Sequence, residues 1–190
     1  MLRQLFISKV RVKMLRYFLF NPDEELHVRG LVRLLDEEIN AIRRELQNLE
    51  DAKILISQKR GNKLFYFLNK DNPYINELTR LFYIDREDVK LIFKVLSPEE
   101  RIKTVVITDN YLKNVYENSY DIDLLILTEA TVNDIMNLLK TLEEKLDKEL
   151  RITVLKPSDI EFHHKKRDDF LLNILRRDKI IIIGDQGDLI

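Results

Sequence analysis

Apolar residues fall into distinct rhythms along this chain. Between residues 2 and 20, Leu5, Phe6, Val10, Leu15, Phe18 and Leu19 recur at three- to five-residue steps, which predicts one amphipathic helix. The polar run NPDEE ends it. A shorter helix is predicted over 28–36, slightly weakened by Gly30, and a third over 39–54, where Ile39, Ile42, Leu46 and Leu49 share a face. The period then shortens. ILISQKRGNKLFYFLN reads as two β-branched and aromatic strands around a turn at Arg60-Gly61-Asn62, where glycine and asparagine tolerate positive φ. Helical spacing returns with Ile75, Leu78, Leu81, Phe82, Val89, Ile92, Phe93 and Leu96, as one long helix or two joined ones, and Ser97-Pro98 closes the stretch.

Beyond that point strands alternate with helices. Strands are predicted over 102–108, 122–127, 150–155 and 179–184, with helices over 131–146 and 166–177, an order that implies a small α/β domain on a mixed sheet. The fold class is therefore α+β in three parts: helices and a hairpin over 1–72, a helical linker over 73–98, and the α/β part over 99–190. The linker stripe needs a partner. Packing within the chain and pairing with the same helix of a second copy both satisfy it.

Charge sharpens this division. Residues 1–70 hold 14 Lys+Arg against 9 Asp+Glu, a net +5, and the remaining 18 against 24 leave −6, so the two halves suit different partners. Cysteine is absent, which excludes disulfides, thiolate metal ligands and a cysteine nucleophile. No apolar run reaches the roughly 18 residues of a membrane span, and MLRQLFISKVRVK has no signal-peptide core, so a cytoplasmic protein with no membrane partner is expected. The 34% of charged residues and only 4 Gly and 4 Pro suggest short loops and an ion-pair-rich surface.

LFISKVRVKMLRYFLFNPDEELHVRGLVRLL, NAIRRELQNLEDAKIL and SQKRGNKLFYFLN together resemble a winged helix-turn-helix DNA-binding domain of small prokaryotic transcriptional regulators, over some two-fifths of the chain. The resemblance implies double-stranded DNA as partner, with the third helix in the major groove. Asn40, Arg43, Arg44 and Gln47 lie off the apolar face of that helix and are free to reach bases and phosphates. Lys59, Arg60 and Lys63 cluster at the hairpin tip, where cations suit phosphate or minor-groove contacts. Lys9, Arg11 and Lys13 are further backbone candidates. Regulators of this kind bind as homodimers to two half-sites about 34–36 Å apart, so a homodimer is expected.

IKTVVIT, YDIDLLIL, LRITVL and the tail RDDFLLNILRRDKIIIIGD resemble the minimal nucleotidyltransferase domain of the DNA polymerase beta superfamily, over about 102–185. That family carries a Gly-Ser turn after its first strand, an Asp-x-Asp on the second and a third carboxylate on a later strand, which together hold two Mg²⁺ ions and a nucleotide. Asp121 and Asp123 match the Asp-x-Asp, as metal ligands or as the remnant of an older site. Alternate residues of a strand face one side about 6.6–7 Å apart, as paired ligands must. The other elements do not match. Thr108-Asp109 stands at the Gly-Ser position, adding a Cβ and a negative charge, and Arg151 or Thr153 stands where the third carboxylate belongs. The chain is thus expected not to be an enzyme and to need no cofactor, with Mg²⁺ the exception should the pair be functional.

His163-His164 does not form a metal pair, because neighbours on a helix point about 100° apart. Two functions follow. In the first, a transcriptional regulator uses the second domain for dimerisation, sensing or binding a partner. In the second, an antitoxin-like, Mg²⁺-dependent nucleotidyltransferase modifies a protein or small molecule and uses the winged helix for targeting. Nucleotide and protein partners stay open.

Overall fold

The computed structural model describes residues 2–118, 120–166 and 169–189. It is a mixed α+β chain with two small sheets, dividing into two compact units, Met1–Asp85 and Arg86–Ile190. The division falls inside the stretch predicted as a linker.

The first unit runs α1 (Leu2–Leu5), α2 (Lys9–Phe20), β1 (Leu26–His27), α3 (Val28–Leu35), α4 (Ile39–Asp51), β2 (Leu55–Arg60), β3 (Lys63–Leu68) and α5 (Ile75–Ile84). The single helix expected over 2–20 is broken in two. Ser8 takes extended backbone and its hydroxyl accepts from the Arg11 amide at 3.2 Å, so a new helix starts there, leaving Ile7 fully exposed in the gap. Helix α4 begins at a Glu38 cap, whose carboxylate accepts from the Asn40 and Ala41 amides.

The predicted hairpin pairs Leu55 with Leu68 through Arg60 with Lys63, turning at Gly61, whose φ is 59°. The two-residue β1 adds a third antiparallel strand beside β3, in the order β1-β3-β2. Two residues are too few to show an alternation, so the sequence pattern carried no sign of it. Met14, Phe18, Leu31, Ile42, Leu46, Leu55 and Phe82 are fully buried together at the centre of this unit.

The second unit runs α6 (Glu87–Leu96), β4 (Ile102–Thr108), α7 (Asp109–Lys113), β5 (Leu124–Thr128), α8 (Val132–Leu146), β6 (Ile152–Leu155), α9 (Pro157–Lys166), α10 (Asp169–Arg176) and β7 (Lys179–Ile183), then a 3₁₀ turn Gln186–Leu189. The sheet order is β6-β5-β4-β7, parallel between β5 and β6 and antiparallel elsewhere, which makes it the expected mixed sheet. Every residue of β5 is buried, consistent with a strand covered on both faces and hence continuously apolar. Helices α7 and α9 were not foreseen.

The linker stripe finds its partners within the chain. Ile75 and Phe82 of α5 join the first unit's core, while Val89, Ile92 and Leu96 of α6 are buried in the second unit. Phe93 stays half exposed.

Candidate functional site

Helix α4 separates its two faces cleanly. Ile42, Leu46 and Leu49 are buried, whereas Asn40, Arg43, Arg44 and Gln47 are all exposed. Gln47 donates to Asp51 one turn on at 2.8 Å. Arg43 and Arg44 have no hydrogen-bond or ion-pair partner among the described residues, so their donors stay available.

The helix is anchored from beneath by Glu45, only 3% exposed, which takes Arg11 Nε at 2.8 Å and Asn48 at 3.2 Å. Burial pushes its carboxyl up, but hydrogen bonds from Ser8, Arg11 and Asn48 outweigh that and hold it below the usual carboxylate range. Arg11, a backbone-contact candidate by sequence, is therefore committed to an internal pair. Lys13 likewise reaches Glu37 at 2.5 Å and the Leu35 carbonyl at 3.0 Å.

At the hairpin tip, Lys59 and Lys63 are exposed and unpaired among the described residues. Arg60 differs. Its guanidinium grips both oxygens of Glu25, the second at 2.8 Å, donates to Gln58, and lies 5.5 Å over the Phe65 ring. Glu25 sits in the polar run read only as a helix stop, and only the folded hairpin brings the two together.

The Asp-x-Asp is placed differently from expectation. Strand β5 starts at Leu124, so Asp121 and Asp123 precede it, 6% and 1% exposed, with the Asp123 backbone accepting from the Thr108 amide at 3.0 Å and donating to the Arg151 carbonyl at 2.7 Å. The loop folds around them. Asp121 Oδ2 accepts from the Glu117 and Asn118 amides at 2.6 and 3.1 Å, and its Oδ1 takes Arg177 at 3.2 Å. Asp123 takes the Tyr116 hydroxyl on one oxygen and the Arg151 amide at 2.8 Å on the other. Burial pushes Asp121 up, but the two amides and Arg177 prevail and hold it below its ordinary value. Burial and then the bond to Asp123 push Tyr116 well up, so it stays a neutral donor.

This donor set does not fit a pair of Mg²⁺ ions. Each carboxylate oxygen already has a protein donor, and no group of three or more acidic or histidine side chains among the described residues is placed to hold a metal. Just ahead of β6, a cation stands in place of the third carboxylate. Arg151 lies 4.5 Å over the Tyr116 ring, and Lys148 lies 4.6 Å over Tyr111. The side chains of His163 and His164 lie outside the described residues.

Thr108 ends β4 and Asp109 opens α7, so the Thr108-Asp109 pair does form a strand-to-helix turn. The Thr108 hydroxyl donates to the Ile122 carbonyl and ties this turn to the aspartate loop. A cavity of about 590 Å³ opens beside it, lined among others by Asp109, Asn110, Asn118, Tyr120, Asp121 and Arg177. Periodicity gave no sign of Arg177, which follows α10, because the cavity forms only when that helix end meets the aspartate loop.

No protein-family model matches the chain, and no curated protein matches it. Among solved structures, reduced HlyU from Vibrio cholerae aligns over 50% of this chain and 84% of its own, at 20% identity and a TM-score of 0.33. That superposition is too loose to bear on function.

Proposed function

We propose that this chain is a DNA-binding transcriptional regulator whose first unit is a winged helix-turn-helix domain. Helix α4 enters the major groove of double-stranded DNA, and the β2-β3 hairpin is the wing. The observation that carries this is the exposed face of α4, where Arg43 and Arg44 stand free beside Asn40 and Gln47 and guanidinium groups can pair bidentately with guanine edges. Lys59 and Lys63 extend the positive surface along the wing, in the stretch 1–70 that carries net +5. The regulator acts as a homodimer on paired half-sites.

The second unit, in the same proposal, is a nucleotidyltransferase-like domain that performs no nucleotidyl transfer and serves sensing, dimerisation or partner binding. Support comes from the protein donors that occupy the carboxylates of Asp121 and Asp123, and from Thr108-Asp109 at the turn where a triphosphate would approach.

The test begins with selection of binding sequences from a random duplex pool by the full chain. Fluorescence anisotropy on the selected site should then show at least about a hundredfold loss of affinity in Arg43→Ala plus Arg44→Ala, with an unchanged circular dichroism spectrum. Unchanged affinity of that folded variant overturns the proposal.

A further inference from the structure

We propose that two copies of this chain join along β7, so that the sheet of the second unit runs on from one copy into the other. Strand β7 is a margin of that sheet, paired on one side only, to β4. Among the described residues, no backbone hydrogen bond reaches residues 180–183 from anything but β4, and the register shift there leaves Ile182 without a partner in β4 as well. Such an edge is a row of open donors and acceptors, which another strand satisfies. Its side chains are apolar. Ile180 is 1% exposed, Ile181 packs on the second unit's core, and Ile182 and Ile183 are half-buried. A strand laid alongside completes the burial of a core that β7 now bounds.

The two margins of the sheet differ. At the other one, β6 is preceded by Arg151 and followed by Lys156 and Pro157, the charges and proline that keep an edge from pairing. Strand β7 has four successive isoleucines and a single charge, Lys179 at its start. That charge has a place in the pairing. An antiparallel match of β7 with itself, centred on Ile182, sets Ile181 opposite Ile183 and brings Lys179 of each copy towards the exposed Asp185 of the other. The ends are then complementary in charge and the middle in apolar surface, which selects a second copy over an unrelated strand. A twofold pair uses each β7 once and leaves only the guarded β6 edges outside, so it closes as a dimer. This names the surface of the homodimer proposed above and rests on that reading.

The chain has no cysteine, so a single introduced one reports contact between copies alone. Residues opposite each other in an antiparallel pair lie about 4.5–5.5 Å apart at Cα, within reach of a disulfide. Oxidised with diamide, the full chain carrying Ile182→Cys should cross-link at least about fivefold more than Val154→Cys, an exposed position on β6. Sedimentation equilibrium should find the parent dimeric and Ile182→Lys, which sets like charges face to face, at least about tenfold weaker in self-association. Mixing Ile182→Lys with Ile182→Glu should restore a dimer, which misfolded variants cannot do. A monomeric parent overturns both this interface and the homodimer. A dimeric parent whose Ile182→Cys cross-links no better than Val154→Cys, or whose folded Ile182→Lys associates undiminished, overturns the interface alone and leaves the homodimer to another surface. Should Ile182→Lys fail to fold, the two cysteine variants decide. No DNA is present, so neither result bears on the proposed contacts of α4.

Discussion

At Asp123 a carboxylate 1% exposed accepts from a tyrosine hydroxyl and a backbone amide. Such a group stabilises the fold, because its hydrogen bonds are made to a charge and are lost together. Asp123→Asn should therefore destabilise the chain by about 2 kcal/mol in urea unfolding. Residues kept for metal chemistry tend to behave in the opposite way, since removing their mutual repulsion relieves the fold. A more stable Asp123→Asn protein would refute the structural role. Asp121 adds a pH dependence. Its folded pKa lies below the ordinary value, so its contribution is present above the unfolded value near 3.9 and is lost as pH falls through the folded one. Stability should drop below about pH 4, and Asp121→Asn should flatten that fall, as thermal melts across pH would show. Arg11 belongs with these residues. Arg11→Ala strands the buried Glu45 charge and should cost stability while leaving the salt dependence of the proposed DNA binding unaltered.

Among the elements, the hairpin separates its cations by their partners. Lys59 is free and should contribute about one unit to the slope of log affinity against log salt if it meets a phosphate. Arg60 is already held by Glu25, so Arg60→Ala should change that slope by less than Lys59→Ala does. An equal or larger change would mean that the Glu25 pair opens on DNA. At the tip, a Cβ on Gly61 would meet nothing within 4 Å, so Gly61→Ala should cost only the positive-φ penalty, about 1 kcal/mol. Gly184, just past β7, is a harsher case. Its φ is 78°, and a Cβ there would stand 2.5 Å from the Lys103 carbonyl oxygen, so Gly184→Ala should lose well over twice as much. Chemical denaturation of the two variants side by side measures the difference.

For the molecule as a whole, the boundary of the first unit is open to a direct test. Residues 1–72 contain the helices and the hairpin, yet Ile75 and Phe82 of α5 belong to the same buried core. A fragment ending at 72 should expose that core and melt without cooperativity, whereas one ending at 85 should unfold in a single sharp transition. Equal melting of the two fragments would show α5 to be dispensable.

The hydrophobic pattern by itself determined most of the elements. α3, α4, the hairpin, α8, β4 and β7 follow from their spacing within a residue or so at most ends, α4 reaching Asp51 rather than 54, because period and turn chemistry are local properties. The exposed residues of α4 were legible for the same reason, since a helix with one apolar stripe must turn its other face to solvent. Tertiary structure decided what local spacing does not encode. The Ser8 cap divided a helix whose apolar rhythm runs on uninterrupted, and the Arg11-Glu45 and Arg60-Glu25 pairs joined residues 34 and 35 positions apart. The aspartates show the limit most clearly. YDIDLLIL reads as one strand, but the strand runs only from Leu124, with the Asp123 backbone bonded to Thr108 and Arg151 just ahead of it, and the loop amides, Tyr116, the Arg151 amide and Arg177 close around the two carboxylates. Whether a carboxylate faces a metal or a protein donor depends on groups brought from distant positions, and only the folded chain assembles them.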